Sequence, residues 1–227
     1  TNAIDMLLRY VREARWDVVS RAARVLEAGF VKKMNDDGWH TILAAGVDRN
    51  VLVYDADAAA GQFTKRQISL MKSVMRRNAG GNSASMNRGR LTDVYLSPEG
   101  LEDIRNWGVD QADETTRREI YLSADDGGAI TRIFGVNLNA LDELGQSQEY
   151  QNYFTSNLSG TLGPSSDVEL VVGLDLAASD SFVMPVKQEV TVFEDEALHR
   201  HQKMGFYGFA EIGFGVLDSR RVLLGSF

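Results

Sequence analysis

Two histidines, His199 and His201, stand two residues apart, just after the acidic run Glu194, Asp195 and Glu196. Imidazole and carboxylate together form a nitrogen/oxygen donor set for a divalent metal, and would serve a metal-dependent hydrolase if both rings shared one face of a strand. The competing reading is a polar connection between two strands, because the only other histidine is His40 and nothing fixes a third ligand. Ser97, between Leu96 and Pro98, has the strand–serine–helix context of a nucleophile elbow but lacks the flanking glycines of Gly-x-Ser-x-Gly. A helix N-cap accounts for it fully. The carboxylate pairs Asp36-Asp37 and Asp125-Asp126 are candidates for acid/base work, yet both stand in turn-like contexts where Asp bonds its own backbone. Neither Gly-x-Gly-x-x-Gly nor a Walker pattern occurs, and Ala79-Gly80-Gly81-Asn82 follows a predicted helix and terminates it. These residues predict no catalytic residue, no metal site and no cofactor.

One further feature could carry chemistry, and it is basic. Residues 62–92 hold Lys65, Arg66, Lys72, Arg76, Arg77, Arg88 and Arg90 with no Asp or Glu among them. Such a stretch reads as a solvated or subunit-facing surface, as a contact for phosphate backbones in a nucleic-acid-binding module, or as a partner for an acidic patch on a neighbouring subunit. The chain as a whole has a net charge of −8, so outside that stretch it repels nucleic acid and anionic membranes. The absence of cysteine removes disulfides, thiolate nucleophiles and iron–sulfur sites. No run approaches the roughly 20 apolar residues of a membrane span. Thr1-Asn2-Ala3-Ile4-Asp5 lacks the basic and then apolar regions of a secretory signal, so no membrane partner is expected.

The elements that would position these residues follow from periodicity. Ile4, Leu7, Leu8, Val11, Ala14, Val18, Ala22, Val25 and Leu26 recur at three- and four-residue steps and predict a long helix. It breaks near Arg15-Trp16-Asp17, with Asp17 as a cap, and continues through Phe30 and Met34 to Asn35-Asp36-Asp37-Gly38. A separate helical piece over 39–45 ends at Gly46, suited to a left-handed C-terminal cap. Residues 50–54 read as a strand. Thr64 with Gln67 forms a capping box before a helix that buries Ile68, Met71, Val74 and Met75, and residues 80–89 are a loop. Residues 91–96 read as a strand feeding Ser97-Pro98-Glu99, a well-formed helix start, with Leu101, Ile104 and Trp107 on one side. Strands follow over 119–122, 129–138, 169–174, 181–186 and 189–193, with a turn at Asp125-Asp126-Gly127-Gly128 and one helical turn around Tyr150 and Phe154. The aromatic, glycine-rich stretch 204–216 and Arg221-Val222-Leu223-Leu224-Gly225 complete an α+β chain in strands.

The ending, with its acidic connector, long aromatic strand, Asp218-Ser219-Arg220-Arg221 turn and final Val222-Leu223-Leu224-Gly225-Ser226-Phe227, resembles the C-terminus of tailed-bacteriophage major capsid proteins of the Hong Kong 97 fold family. The passage from Asp93 through Ser97-Pro98-Glu99 to Trp107 is similar to the strand-to-helix passage of that family's axial domain, and the helix through Asp17, Arg21, Leu26, Met34 and Trp39 to its spine helix. The resemblance implies a Hong Kong 97-type capsid fold with a long spine helix, a peripheral domain and an axial domain. Residues 1–47 would form the peripheral domain with the spine helix, 48–185 the axial domain, and 186–227 C-terminal strands returning to the peripheral domain.

The implied function is that of a structural protein and not an enzyme: a major head protein that assembles into an icosahedral shell around double-stranded DNA. Its implied partners are copies of itself in pentamers and hexamers, scaffold, portal and decoration proteins, and packaged DNA through weak contacts. Its implied place is the virion, after synthesis in the bacterial host cytoplasm. An encapsulin-like nanocompartment shell is the alternative within the same fold. The family begins with an arm and an extended loop, so a chain starting almost at the spine helix is expected to be a processed or partial form. With no Asn in residues 188–227, a Lys–Asn cross-link like that of the founding member is not expected.

Overall fold

A computed structural model of the chain describes residues 2–13, 17–78, 89–108, 110, 112, 132–158, 169–177 and 181–227. Its helices are α1 (Leu8–Glu13), α2 (Val18–Val47), α3 (Lys65–Asn78), α4 (Pro98–Arg105) and α5 (Glu149–Tyr153), the last running into a π turn, Phe154–Leu158. Its strands are β1 (Asn2–Leu7), β2 (Leu52–Val53), β3 (Asp93–Leu96), β4 (Arg132–Ile133), β5 (Val136–Ala140), β6 (Leu170–Leu174), β7 (Phe182–Val183), β8 (Val186–Glu194), β9 (Lys203–Ile212), β10 (Gly215–Val216) and β11 (Val222–Ser226). Short 3-10 turns lie at Asp142–Leu144, Glu196–His201 and Ser219–Arg221. The chain divides into two compact units, Thr1–Trp39 with Val183–Gly215, and His40–Phe182 with Val216–Phe227.

The first unit is a three-stranded antiparallel sheet, β1-β9-β8, with α2 on one face. A Cβ on Gly208 would stand 2.7 Å from the Phe30 ring, so glycine is what lets the helix approach β9. Asp17 caps α2 as expected, its Oδ1 accepting from the Ser20 N–H at 2.9 Å. Two expectations fail here. Ile4 and Leu7 are not helical: β1 pairs with β9 from Asn2↔Gly208 to Leu7↔Lys203, and Asp5 accepts from Lys203 Nζ at 2.7 Å. A ladder partner two hundred residues away outweighs the local helical pattern. Nor does Asn35-Asp36-Asp37-Gly38 end the helix. Lys32–Asp36 (3.5 Å) and Lys33–Asp37 (2.5 Å) pair one turn apart and hold those carboxylates inside α2, not in a turn.

The second unit is built on a six-stranded mixed sheet in the order β2-β11-β6-β3-β5-β4. β3 is parallel to β5 and β11 to β2, while β6 runs antiparallel to both β3 and β11. Side-chain alternation gives this sheet two covered faces. On one, Val94, Leu96, Val171, Leu223 and Phe227 pack with Ile68, Met71 and Met75 of α3 and Leu101 and Ile104 of α4. A Cβ on Gly173 would stand 2.8 Å from Met71 Cε, so α3 crosses that face directly over β6. On the other face the last turns of α2 cover Leu224. A Cβ on Gly46 would lie 2.6 Å from Leu224 Cγ, so Gly46 is a site of close packing inside a helix that runs to Val47, and not a cap. The left-handed residue after that helix is Asn50, with φ 51°.

Other boundaries shift as well. Residues 132–138 form a hairpin and not one strand, with positive φ at Phe134 (51°) and Gly135 (75°). Of residues 186–227, β8 and β9 fall in the same unit as Thr1–Trp39, and β11 falls in the second unit. β11 pairs along its whole length with β6, and all five of its residues are buried in the second unit, because an apolar run exposed on neither face belongs in the interior of a sheet. The expected strand over 119–122, the turn at Asp125-Asp126, the loop over 80–88 and Arg88 lie outside the described residues.

Candidate functional site

His199 and His201 lie in the 3-10 turn Glu196–His201, capped by Asp195, whose side chain accepts from the Ala197 N–H at 3.0 Å. Two residues at three per turn point in different directions, so the rings do not converge. His199 instead meets Glu194 at 3.1 Å on the surface. Among the described residues no group of three His, Cys, Asp or Glu side chains is arranged to hold a metal ion. His40 stacks on Tyr153 with ring centres 3.7 Å apart and meets Tyr150 edge-on.

Ser97 is fully buried and is the N-cap of α4, accepting from the Gly100 N–H at 3.1 Å. Its hydroxyl also donates to Glu169, a partner that sequence reasoning missed. Burial pushes the Glu169 carboxyl above its ordinary value; the Ser97 hydrogen bond opposes this, and Glu99 and Asp103 add to the rise. The signal available beforehand was weak: a lone Glu at the start of an apolar strand.

Lys65, Arg66, Lys72, Arg76 and Arg77 of the basic stretch lie in α3, with Thr64 as its cap: Thr64 Oγ1 accepts from the Gln67 N–H at 3.3 Å. Gln67 does not complete a capping box. It is wholly buried and donates instead to the Ser226 carbonyl at 2.7 Å, tying α3 to β11. Arg66 pairs with Asp55 and Asp57, Lys65 donates to the Asp110 carbonyl at 3.3 Å, and Lys72 to the Phe134 carbonyl at 2.7 Å. Arg76 and Arg77 are exposed and make no ion pair among the described residues. Arg90 contributes its backbone N–H to Asp175 at 2.9 Å. Asp175 also receives Arg221 at 2.6 Å, a buried pair that anchors the start of β11.

The first unit presents a different kind of surface. Val192 (50% exposed) lies on one face of β8 and Phe193 (42%) on the other, where it stacks on Tyr207 and Phe209 at 5.6 and 5.8 Å, and Val190 (41%) stands in the irregular stretch between Gln188 and Thr191. Apolar exposure of this kind marks an interaction surface. A groove of about 390 Å³ on the α2 side is lined by Phe30, Met34, Ile212 and Phe214, and its charged groups, Lys33 and Asp37, satisfy each other.

The chain, with its 30-residue helix α2, is similar over its full length to subunits of solved shells. The capsid asymmetric unit of cyanophage Pam1 is 13% identical, with a TM-score of 0.63 over 100% of this chain and 73% of that one. The chain has the Hong Kong 97-type capsid fold. The capsid of an empty GTA particle matches at 11% identity and a TM-score of 0.60, covering 100% of this chain and 71% of that one. The SrpI encapsulin of Synechococcus elongatus matches at 11% and 0.57, covering 99% and 71%. No family model matches the sequence, and no curated protein matches it significantly. In this Hong Kong 97-type chain, α2 is the long helix, and the Ser97 cap and the α3 basic face sit around the six-stranded sheet.

Proposed function

We propose that the chain is the structural subunit of a tailed-phage head, assembling into an icosahedral capsid that encloses double-stranded DNA, without catalytic turnover. The observation that carries this reading is the full-length likeness to capsid subunits, in a chain whose β8–β9 hairpin leaves apolar side chains in water. A subunit that buries complementary surface in a closed assembly has a use for such side chains; a free monomer does not. On this reading the first unit is the peripheral domain and the second the axial domain. The subunit is made in the bacterial host cytoplasm and ends in the virion, with scaffold, portal and decoration proteins as further partners.

Negative-stain electron microscopy with sedimentation of the full-length protein, scaffold supplied, tests it. Closed shells, or rings of five and six, are expected, and a lasting monomer overturns the reading. An encapsulin-like shell is the second reading, favoured by the likeness to SrpI. Nuclease-resistant DNA inside purified native particles supports the phage head, and a stoichiometric protein cargo supports the nanocompartment.

A further inference from the structure

The solvent face of α3 has a composition of its own. Its exposed residues are Arg66, Ser69, Lys72, Ser73, Arg76 and Arg77, so the outer side of this helix is built from cations and hydroxyls alone, in a chain of net charge −8. Helices elsewhere mix their charges: Arg9 pairs with Glu13 on α1, and Lys32 and Lys33 with Asp36 and Asp37 on α2, each one turn apart. α3 has no acid to offer, and Lys72 stands one turn from Arg76, a spacing at which like charges repel. The negative end of the helix accounts for Arg76 and Arg77 in the last turn, but not for Lys72 a turn earlier.

Of these exposed cations, Arg66 is neutralised by Asp55 and Asp57. Arg76 and Arg77 make no ion pair among the described residues. Lys72 donates to the Phe134 carbonyl at 2.7 Å, which occupies one of its three N–H donors and leaves its positive charge unbalanced by that contact. Underneath, Ile68, Met71 and Met75 seat α3 on the sheet, with Met71 directly over Gly173. The cations therefore stand on a well-packed element, on its side away from the core.

We propose that this face of α3 lines the inside of the shell and holds backbone phosphates of packaged duplex DNA through Lys72, Arg76 and Arg77, with Ser69 and Ser73 as hydroxyl donors. The inference rests on the shell reading above and names the side of the subunit that looks inward. Phosphate contacts draw on Arg, Lys and Ser together and carry no sequence information, as a container for DNA of any sequence requires. Three cations per copy give a salt-sensitive hold, while the net negative charge of the chain repels the duplex and keeps that hold weak.

Two experiments on the full-length protein test it. In the first, unassembled subunit is titrated against a fluorescent DNA duplex over a salt series. The wild type is compared with Arg76→Gln with Arg77→Gln, and with Arg9→Gln with Lys187→Gln, which removes the same charge from exposed ion pairs of the first unit. Circular dichroism and thermal melts establish that both variants fold. The slope of log affinity against log salt is expected to become shallower by about 2 in the α3 variant, roughly one for each lost phosphate contact, and to keep its wild-type value in the other. In the second experiment, Ser73→Cys places a single thiol on this face of a chain that has no cysteine. In closed, empty shells that thiol is expected to react with N-ethylmaleimide and to resist a maleimide carried on a polymer too large to enter. Absence of DNA binding by the wild type, an unchanged slope in the α3 variant or an equal change in the control overturns the inference. Labelling by the large reagent, which puts α3 outside, or protection from both reagents, which puts it in a subunit contact, overturns it too, and in all these cases the shell reading stands. A wild type that forms no closed shell overturns the shell reading and the inward placement with it, whatever the slope.

Discussion

The two units solve the problem of burying apolar surface in opposite ways. Of the 29 buried hydrophobic side chains among the described residues, only Leu26 and Phe30 belong to the first unit. The second unit covers both faces of its sheet and has a core of its own. In the first, no described helix packs on the face of Phe193 and Tyr207, and even Val192, opposite Gly208 on the helix side, is half exposed. Burial is favourable by about 25 cal/mol per Å², so the second unit draws its stability from within, while the first has apolar area in reserve for association.

That contrast can be tested by how strongly substitutions act on the isolated subunit. The largest effect is expected at Asp175. Asp175→Ala leaves the buried Arg221 guanidinium with only the longer 3.5 Å contact to Asp218 and also strips acceptors from the Arg90 and Ala177 N–H groups. A loss of about 3–5 kcal/mol is expected in urea unfolding followed by circular dichroism. Ser97→Ala removes the α4 cap and a donor to Glu169, and is expected to cost about 1 kcal/mol in the same measurement. At the small end, Val192→Ser in the first unit is expected to change subunit stability by less than about 0.5 kcal/mol while lowering the yield of assembled particles. A large stability loss there would mean that the first unit has more of a core of its own than its exposure implies.

Glu169 sharpens the comparison through pH. Its carboxyl binds a proton more tightly in the folded protein than in the unfolded chain, because burial disfavours the charged form. Stability therefore falls as pH rises from the ordinary carboxylate value of 4.5 through the raised one, and the penalty is complete above it. Glu169→Gln is expected to flatten that part of the stability profile, read from melting temperatures across the acidic range. An unchanged slope would show that Glu169 is not the group responsible.

How much of this was legible beforehand depended on how far each feature reaches along the chain. Ser97, Thr64 and Asp17 each bond a backbone N–H three residues on, and all three caps stand where their sequence contexts put them. The buried sides of α3 and α4 were readable from apolar spacing for the same reason. Ile4 and Leu7 misled because a helical spacing carries no trace of a ladder partner at residues 203–208. Gly46 misled because a helix-ending glycine and a helix-packing glycine look alike until Leu224 is seen against it.

The sequence by itself determined the local chemistry: the caps, the amphipathic helices, the absence of cysteine and a basic segment free of acids. Tertiary structure alone decided that the last strand joins the six-stranded sheet and that the Gln67 amide bonds the Ser226 carbonyl. The physical reason is range. Caps and helix faces are fixed by bonds spanning three or four residues, whereas sheet order comes from pairings between residues tens of positions apart, and some two hundred apart for β1 and β9.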